Sequence, residues 1–297
     1  MYKSINNKNM FKSTISTLIL GLLLVCQGFS QDTMYVYKNG VEVFSKPVSD
    51  IDSITFYKSK GNDPLNTVKD ISGNIYPTVT LGSQVWMAQN LKTEKYNDGS
   101  SIPLIFDESS WAENDNNGDT APMMTWYNFD KATYFPKFYG GLYNYYAINY
   151  STNGGKNVCP IGWHIPNQTD FNILKNWLIV NGYNYDGTTN GNSSSNNKLA
   201  KAIASRFWGT TGGSGTGTPA FEPEDNNYSG FNGLPVGQIS YSGSHGLINT
   251  FTGWWSITEY DESNSYLHSI ASSRKDFTFG TVGQNKNFGH SVRCLKN

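Results

Sequence analysis

Short runs in which apolar and polar residues alternate, separated by glycine, asparagine or serine, recur along the chain and predict many short strands. The first two runs, at 34–37 and 41–44, flank an Asn-Gly pair. Asn-Gly between such runs is typical of a tight hairpin because both residues tolerate a positive φ. A third run lies at 53–57, so we predict a small β unit over residues 31–57.

The stretch 58–69 is polar and contains glycine and proline, which is typical of a linker. The main domain is predicted over residues 70–297, where the alternation resumes. It opens with a hairpin of two strands, at 75–81 and 84–87. A last strand at 291–294 is placed to return beside this opening.

Two stretches, 169–180 and 197–205, depart from the two-residue alternation and predict short helices. In the first, apolar side chains repeat at helical spacing and would form one buried face. Asn167 or Thr169 can cap the free N–H groups at its start. The connections between elements are rich in glycine, serine and asparagine. The pattern as a whole predicts an α+β fold.

The first 30 residues have the three-part layout of a secretory signal peptide. Three lysines and no acid precede an apolar run at 15–25, and small residues follow, which favours cleavage before Gln31. The apolar run has 11 residues, whereas a membrane-spanning helix needs about 20. We therefore predict an exported protein in the periplasm, on the outer-membrane surface or outside the cell. An uncleaved anchor helix is the alternative.

Cys26 adds another alternative, because the residues before it resemble a lipoprotein processing site. Val25 fits such a site poorly, since a small residue usually precedes the lipidated cysteine. Cleavage after Ser30 is therefore preferred, and a lipid on Cys26 is the membrane attachment left open.

Cleavage after Ser30 leaves two cysteines, Cys159 and Cys294, and an even pair in an exported chain favours a disulfide. This bond would close most of the main domain. Two buried free thiols are one alternative. A mixed metal site with His164 and His290 is another, although the spacing is not that of usual zinc ligands.

The composition agrees with a folded and weakly charged domain. Hydrophobic residues make up 37% of the chain, aromatic residues 14% and charged residues 15%, with a formal net charge of −1. So many aromatic side chains can fill a core, and this composition argues against a disordered chain. No basic patch stands out, which argues against nucleic acid as a partner.

Two acidic clusters could supply carboxylate oxygens to calcium. The first, at 113–119, departs from the EF-hand pattern at its first and last positions and is predicted to be a solvated loop. The second comprises Glu222, Glu224 and Asp225 and is the candidate metal site. No other cofactor is expected, and calcium is left open.

Catalysis finds little support in the sequence. Neither a Gly-x-Ser-x-Gly motif nor a His-Glu-x-x-His motif occurs. His164, beside Trp163, is interpreted as a packed and hydrogen-bonded residue. Acid pairs for glycoside hydrolysis meet only in three dimensions, so a polysaccharide-acting hydrolase stays an alternative.

Aromatic residues are the remaining candidates for ligand contact. Trp254 and Trp255 are adjacent in a predicted strand and must point to opposite faces. One is expected in the core, and the other at the surface or under a loop. With Tyr241 they form the candidate ligand-binding set, because exposed Trp and Tyr stack on sugars or form interface hot spots. The alternative is that these aromatic side chains only pack in the core and hold loops in place.

Eight short motifs follow one another in order along the main domain. They are GNIY at 73–76, QVWMAQNL at 84–91, YNDG at 96–99, GLYNYYA at 141–147, CPIGWHIP at 159–166, SGF at 229–231, GWWSITE at 253–259 and SVRC at 291–294. This series resembles the Fibrobacter succinogenes major paralogous domain family over about residues 70–297. Members of this family are commonly exported and often lipoproteins, so the resemblance implies fold and compartment rather than chemistry.

The resemblance implies a C-type-lectin-like fold, which formylglycine-generating enzymes also use. We therefore expect an α+β domain with two short helices, small twisted antiparallel sheets and long loops, preceded by the small β unit. Calcium-dependent sugar binding is not implied, because residues 222–224 match the lectin Glu-Pro-Asn motif only in part and no Trp-Asn-Asp follows. Oxidase chemistry is not implied either, because it needs paired active-site cysteines.

These observations favour an exported or cell-surface binding module without catalytic activity. Its ligand is expected to be a glycan or a surface protein. A polysaccharide-acting hydrolase and a structural surface protein are the two alternatives, and measured turnover on a polysaccharide would favour the first of them.

Overall fold

The computed structural model describes residues 33–38, 41–47, 66–116, 120–191, 196–210 and 215–297. The predicted signal peptide with Cys26, the strand predicted at 53–57 and most of the linker lie outside these residues. The chain divides into two compact units, Met1–Asp63 and Pro64–Asn297. Within the described ranges, no helix combines the length and the apolar character needed to cross a membrane.

The first unit contains an antiparallel hairpin of two strands, β1 (Thr33–Lys38) and β2 (Val41–Pro47). Their register ends with Lys38 opposite Val41, and it shifts between Val36 and Tyr37. The two strands predicted on either side of the Asn-Gly pair are confirmed, and each is longer than the alternation indicated.

The second unit is a mixed α+β domain built from small antiparallel sheets and short helices. Its elements in chain order are β3 (Thr67–Lys69), β4 (Ile75–Leu81), β5 (Gln84–Met87), α1 (Glu108–Asn116), β6 (Met124–Thr125), α2 (Lys131–Tyr134), β7 (Leu142–Tyr143), α3 (Tyr145–Ile148), β8 (Trp163–His164), α4 (Gln168–Val180), α5 (Ala200–Ile203), β9 (Val236–Ile239), β10 (His245–Ile248), β11 (Phe251–Glu259), β12 (Asn264–Ala271), β13 (Thr278–Asn285) and β14 (Leu295–Lys296). Five strands form the largest sheet, in the order β3-β4-β5-β14-β8, and β11-β12-β13 form the next. The pairs β6-β7 and β9-β10 form two-stranded sheets.

The opening hairpin of this domain is confirmed, because β4 and β5 pair antiparallel with Leu81 opposite Gln84. Gly82 makes the turn with a φ of +65°, and a Cβ atom there would lie 2.6 Å from the Trp177 ring of α4. Glycine is therefore needed both for the backbone conformation and for the close approach of the helix.

The last strand is β14 rather than the predicted 291–294, so the predicted bounds are wrong. Residues 291–294 form no continuous ladder with one strand: Ser291 makes two hydrogen bonds to β11, and Cys294 accepts one from Met87 of β5. β14 itself lies between β5 and β8. The C-terminal segment thus returns beside the opening hairpin, as predicted.

The first predicted helix is confirmed as α4. Asn167 is its N-cap: its side chain accepts hydrogen bonds from the backbone N–H groups of Thr169 and Asp170, and the Asp170 carboxylate accepts one from the Asn167 N–H. This reciprocal capping satisfies N–H groups that have no partner inside the helix. Phe171 and Leu174 form part of its buried face.

The expectation of two helices was wrong for the described part of the domain. The second predicted helix is the single turn α5, and α1, α2 and α3 come in addition. Turns of four residues are too short for a periodic pattern, and α1 has little apolar periodicity around Trp111. Because α1 extends to Asn116, the solvated loop expected at 113–119 is helical in its first part.

Cys159 and Cys294 form a disulfide, with their Cα atoms 5.8 Å apart and both residues fully buried. The predicted bond is confirmed, and neither free thiols nor a Cys/His metal site applies. It joins the segment before β8 to the segment before β14, close to where these two strands pair. The bond lies in a buried cluster that also contains Met87 and Trp255.

A buried guanidinium, that of Arg293, joins several of the sequence motifs. Arg293 is 1% exposed and forms no ion pair with any residue that the structure describes. Its N–H groups donate to the carbonyl oxygens of Phe231 and Asn232 and to Oδ1 of Asn90. Its Cζ atom lies 4.3 Å from the centroid of the Phe231 ring. Burial lowers the pKa of Arg293 to about 9, so the group stays charged at neutral pH.

Asn90 completes this arrangement, which we name the Arg293–Asn90 cluster. Besides Arg293, its Oδ1 accepts a hydrogen bond from the Trp254 indole N–H at 2.9 Å. Its amide group donates to the Tyr139 carbonyl at 3.0 Å and to Ser291 Oγ at 3.2 Å. One fully buried side chain therefore connects four segments that are far apart in the sequence.

Removal of the disulfide tests its contribution to stability. We expect the Cys159→Ala/Cys294→Ala double variant to lose about 2–5 kcal/mol of unfolding free energy, because the unfolded chain is no longer cross-linked. Urea unfolding measures this loss. Dithiothreitol should lower the stability of the parent protein and leave the double variant unchanged, and equal stability of the two proteins would contradict the prediction.

A second test concerns Asn90. Asn90→Ala leaves the Trp254 indole N–H and one Arg293 N–H buried without that acceptor, and we expect a loss of about 3–5 kcal/mol in urea unfolding. The control is Asn66→Ala, at an exposed position, which should change stability by less than about 0.5 kcal/mol. A loss for Asn90→Ala as small as that of the control would show that the cluster contributes little.

Candidate functional site

An open cleft of about 210 Å³ lies between the loop that follows α4, the helix α5 and the turn after residue 220. Its walls carry exposed and half-buried aromatic, acidic and basic side chains. We name it the tyrosine cleft, lined by Tyr185, Lys201, Thr216, Gly217, Phe221, Glu222, Asp225 and Tyr228.

The acidic turn predicted from the sequence forms one side of this cleft. Pro223–Asp225 is a single 3-10 turn, and Glu222 precedes it with a φ of 49°. Glu222, Glu224 and Asp225 are all exposed, and Glu222 and Asp225 line the cleft. The sequence thus identified two of the charged groups that border the cleft.

Lys201 supplies the positive charge at this turn. It is 7% exposed, and its ammonium donates hydrogen bonds to the backbone carbonyls of Phe221 and Glu222. Burial lowers the pKa of Lys201, while the charges of Asp225, Glu222 and Glu224 act in the opposite direction.

The carbonyls of Phe221 and Glu222, which begin this turn, therefore already accept hydrogen bonds from a cation. Among the described residues, no group of three or more His, Cys, Asp or Glu side chains is arranged to hold a metal ion.

Aromatic rings form another side of the cleft. The ring of Tyr228, which is 45% exposed, stacks on that of Tyr183 with centroids 5.8 Å apart and planes at 4°. Tyr183 in turn contacts Trp177 at 5.4 Å. The Tyr228 hydroxyl donates to the Tyr183 carbonyl at 2.7 Å, and burial raises its pKa to about 12. Tyr228 is therefore a fixed, protonated ring with one exposed side.

Tyr185 lies in the same cleft and is held by close packing. Gly217, with a φ of +91°, lies so close that a Cβ atom on it would come 2.3 Å from the Tyr185 ring. Lys275 Nζ lies 3.3 Å from the Tyr185 hydroxyl and 5.2 Å from the ring centroid. Glycine at 217 is thus required for the aromatic wall to form.

Trp254 and Trp255 do not contribute to an exposed site, because both are fully buried. Their side chains do point to opposite faces of β11, but both faces are covered. Trp254 packs on Phe231 at 5.3 Å, and the Trp255 indole N–H donates to the Tyr143 carbonyl at 2.7 Å. The expectation that one of them would lie at the surface or under a loop as a ligand contact was therefore wrong.

Tyr241, the third sequence candidate, lies between β9 and β10. It is 48% exposed, and its ring contacts Phe288 with centroids 5.6 Å apart. It does not line the tyrosine cleft.

The histidines are also outside the tyrosine cleft. His164 is half-buried, and its ring nitrogens lie 2.6 Å from Asn297 Oδ1 and 3.4 Å from Asp170 Oδ2, which agrees with the interpretation from sequence. His268 and His290 are fully buried, and burial lowers the pKa of each to about 3. His268 stacks on Phe171 at 3.7 Å, and His290 contacts Trp255 at 5.0 Å.

Sequence analysis missed most of the cleft, namely Tyr185, Lys201, Phe221 and Tyr228. They come from three loops and a helix that have no common motif. One signal could have indicated them: tyrosine and phenylalanine residues within stretches otherwise rich in glycine, asparagine and threonine.

Comparison with known proteins gives one family. The sequence profile of the Fibrobacter succinogenes major domain matches residues 79–296. The matched range begins within β4 and ends within β14, and it includes the tyrosine cleft and the Arg293–Asn90 cluster. No curated protein and no solved structure matches the chain.

The buried histidines predict how stability depends on pH. The folded protein keeps His268 and His290 neutral down to a pKa of about 3, whereas an unfolded histidine binds a proton below about pH 6.5. The unfolded state therefore binds more protons between these values, and stability should fall as the pH drops through this window, by about 2–3 kcal/mol per histidine between pH 6.5 and 4.5. Urea unfolding at pH 7.0, 5.5 and 4.5 measures the loss. His290→Phe should lose less than the parent protein over the same range, and identical slopes would contradict the prediction.

Proposed function

The chain belongs to the Fibrobacter succinogenes major domain family, and we propose that its domain is a non-catalytic module that binds a neutral carbohydrate in the tyrosine cleft. The observation that carries the proposal is the meeting of the exposed Tyr228 ring, the half-buried Tyr185 ring and two carboxylates in one concave surface. A sugar ring has an apolar C–H face that packs on an aromatic ring, and its hydroxyl groups donate hydrogen bonds to carboxylates. Pockets with apolar walls and a few placed polar groups are typical ligand sites.

The arrangement of the acids supports binding rather than hydrolysis. Glycoside hydrolysis generally needs two carboxyl groups that flank the scissile bond from opposite sides. In the tyrosine cleft, Glu222 and Asp225 come from a single turn and lie on the same wall. Lys201 is already bonded to backbone carbonyls of that turn. Two acids on one wall suit hydrogen bonds to hydroxyl groups.

The proposal also includes export and a C-type-lectin-like arrangement of the domain. A buried disulfide is typical of proteins that fold in an oxidising compartment, which supports the periplasm, the outer-membrane surface or the outside of the cell. The pairing of β14 with β5 brings the two ends of the domain together, as a lectin-like fold requires. Membrane attachment would be through a lipid on Cys26.

The test is binding of the mature chain, from Gln31 onward, to an array of neutral and charged glycans, followed by calorimetry with the best neutral ligand. Tyr228→Ala and Tyr185→Ala should each weaken binding at least tenfold, about 1.4 kcal/mol, because each removes a stacking surface. Tyr260→Ala is the matched control, since Tyr260 is 49% exposed and packs on Tyr266 outside the cleft. Its affinity should equal that of the parent protein.

Three outcomes would contradict the proposal. Absence of binding to any neutral glycan would favour a structural surface protein, and turnover of a bound oligosaccharide would favour the hydrolase. Loss of affinity in EDTA would show that calcium contributes, whereas we expect EDTA to have no effect because Lys201 occupies the carbonyls of the acidic turn.

A further inference from the structure

A second group of charged and aromatic side chains lies away from the tyrosine cleft, around Lys92. Lys92 is 8% exposed, and its ammonium faces three aromatic rings. The Nζ atom lies 4.8 Å from the centroid of Phe135, 5.1 Å from that of Phe138 and 5.8 Å from that of Tyr76. A cation over aromatic faces gains some stabilisation from them, but they cannot accept its hydrogen bonds as an oxygen would.

Among the described residues, Lys92 Nζ has no oxygen acceptor and no ion-pair partner. Asp70 is the acid whose charge acts on Lys92. Its carboxylate, however, already accepts hydrogen bonds from Tyr76 at 2.6 Å and from Asn74 at 2.8 and 2.9 Å. Burial lowers the pKa of Lys92, and the charge of Asp70 opposes this effect. The ammonium therefore lies among aromatic rings, and none of its N–H groups is bonded to an oxygen of a described residue.

The backbone at Phe138 holds an exposed ring beside this ammonium. Phe138 has a φ of 63° and is 55% exposed. A bulky residue in this conformation is an outlier that persists where the surrounding structure enforces it. The exposed ring therefore stays beside the ammonium, where a ligand can pack on it.

A second cation, Lys131, lies beside the same aromatic group. Lys131 Nζ is 5.8 Å from the centroid of Phe135 and pairs with Glu94 at 2.8 Å. Glu94 also accepts a hydrogen bond from the Trp126 indole N–H at 3.0 Å. Lys131 thus has a carboxylate partner, and of the two cations beside Phe135 it is Lys92 that forms no ion pair with any described residue.

We infer that Lys92 and Phe138 form a binding site for an acidic sugar. The carboxylate of a hexuronate ring would pair with Lys92, while the ring face packs on Phe138. An ammonium that has no carboxylate partner favours a charged acceptor over a neutral one, because the attraction between opposite charges adds to the hydrogen bond. This site takes a ligand class opposite to the neutral sugars proposed for the tyrosine cleft, and it does not depend on that cleft.

The test is calorimetry of the mature chain with the trimer of galacturonic acid and with its methyl ester, which has the same rings but no charge. The parent protein should bind the acid and not the ester. Lys92→Met, which keeps an apolar chain between the rings, should weaken binding at least tenfold, and Phe138→Ala at least fivefold. Lys95→Met, which removes a charge from an exposed neighbouring lysine, is the control and should bind as the parent protein does.

Tyr228→Ala should leave the affinity for the acid unchanged, so failure of this site and failure of the tyrosine cleft are distinguishable. Equal binding by Lys92→Met and the parent protein would overturn the inference. It would also be overturned if Lys95→Met lost as much affinity as Lys92→Met, because that result indicates general charge attraction.

A second experiment uses the parent protein alone and therefore applies even if the Lys92 variant fails to fold. The acid trimer should protect Lys92, but not Lys95, from reductive methylation detected by mass spectrometry, and unchanged labelling of Lys92 would also overturn the inference.

Discussion

The second unit of the chain is organised around a charge that has no opposite charge beside it. Removing an isolated cation from water costs several kcal/mol, so the Arg293 guanidinium is tolerable only when all of its acceptors are in place. Those acceptors are the backbone carbonyls of Met87, Phe231 and Asn232 and the side chain of Asn90. They come from two segments, 87–90 and 231–232, that are far from Arg293 in the sequence, and Trp254 shares the Asn90 amide oxygen. A partly folded chain that buries Arg293 without these acceptors would leave its N–H groups without hydrogen bonds. This cost favours the fully folded structure over partly folded alternatives.

This constraint explains which parts of the fold the sequence could predict. The opening hairpin, α4 and the disulfide depend on local turn residues, capping residues and the number of cysteines, all of which are visible in a short window. The Arg293–Asn90 cluster has no periodic signal, because its members meet only after the chain has folded. The same is true of Trp254 and Trp255. Alternation correctly placed them on opposite faces of a strand, but it could not show that both faces are covered.

The candidate site also combines features that a short stretch of sequence shows with features that form only when distant segments meet. The acids of the turn at 222–225 are a local feature, and the sequence indicated them. Their partner Lys201 lies on α5 and the tyrosines lie on other loops, so the character of the cleft arises from segments that no spacing rule connects. Lys201 adds a positive charge beside these acids, because its ammonium bonds to the carbonyls of Phe221 and Glu222. The sequence showed the carboxylates and left calcium open, but it could not show the cation that lies beside them.

The position of β14 has a consequence for the order of events in biosynthesis. It follows every other strand of this sheet in the sequence, yet it lies inside the sheet, with β5 on one side and β8 on the other. A nascent chain that lacks residues 294–296 has a gap in that sheet and an unpaired Cys159. The largest sheet and the disulfide can therefore close only after these residues have been made, although β3, β4 and β5 lie more than 200 positions earlier.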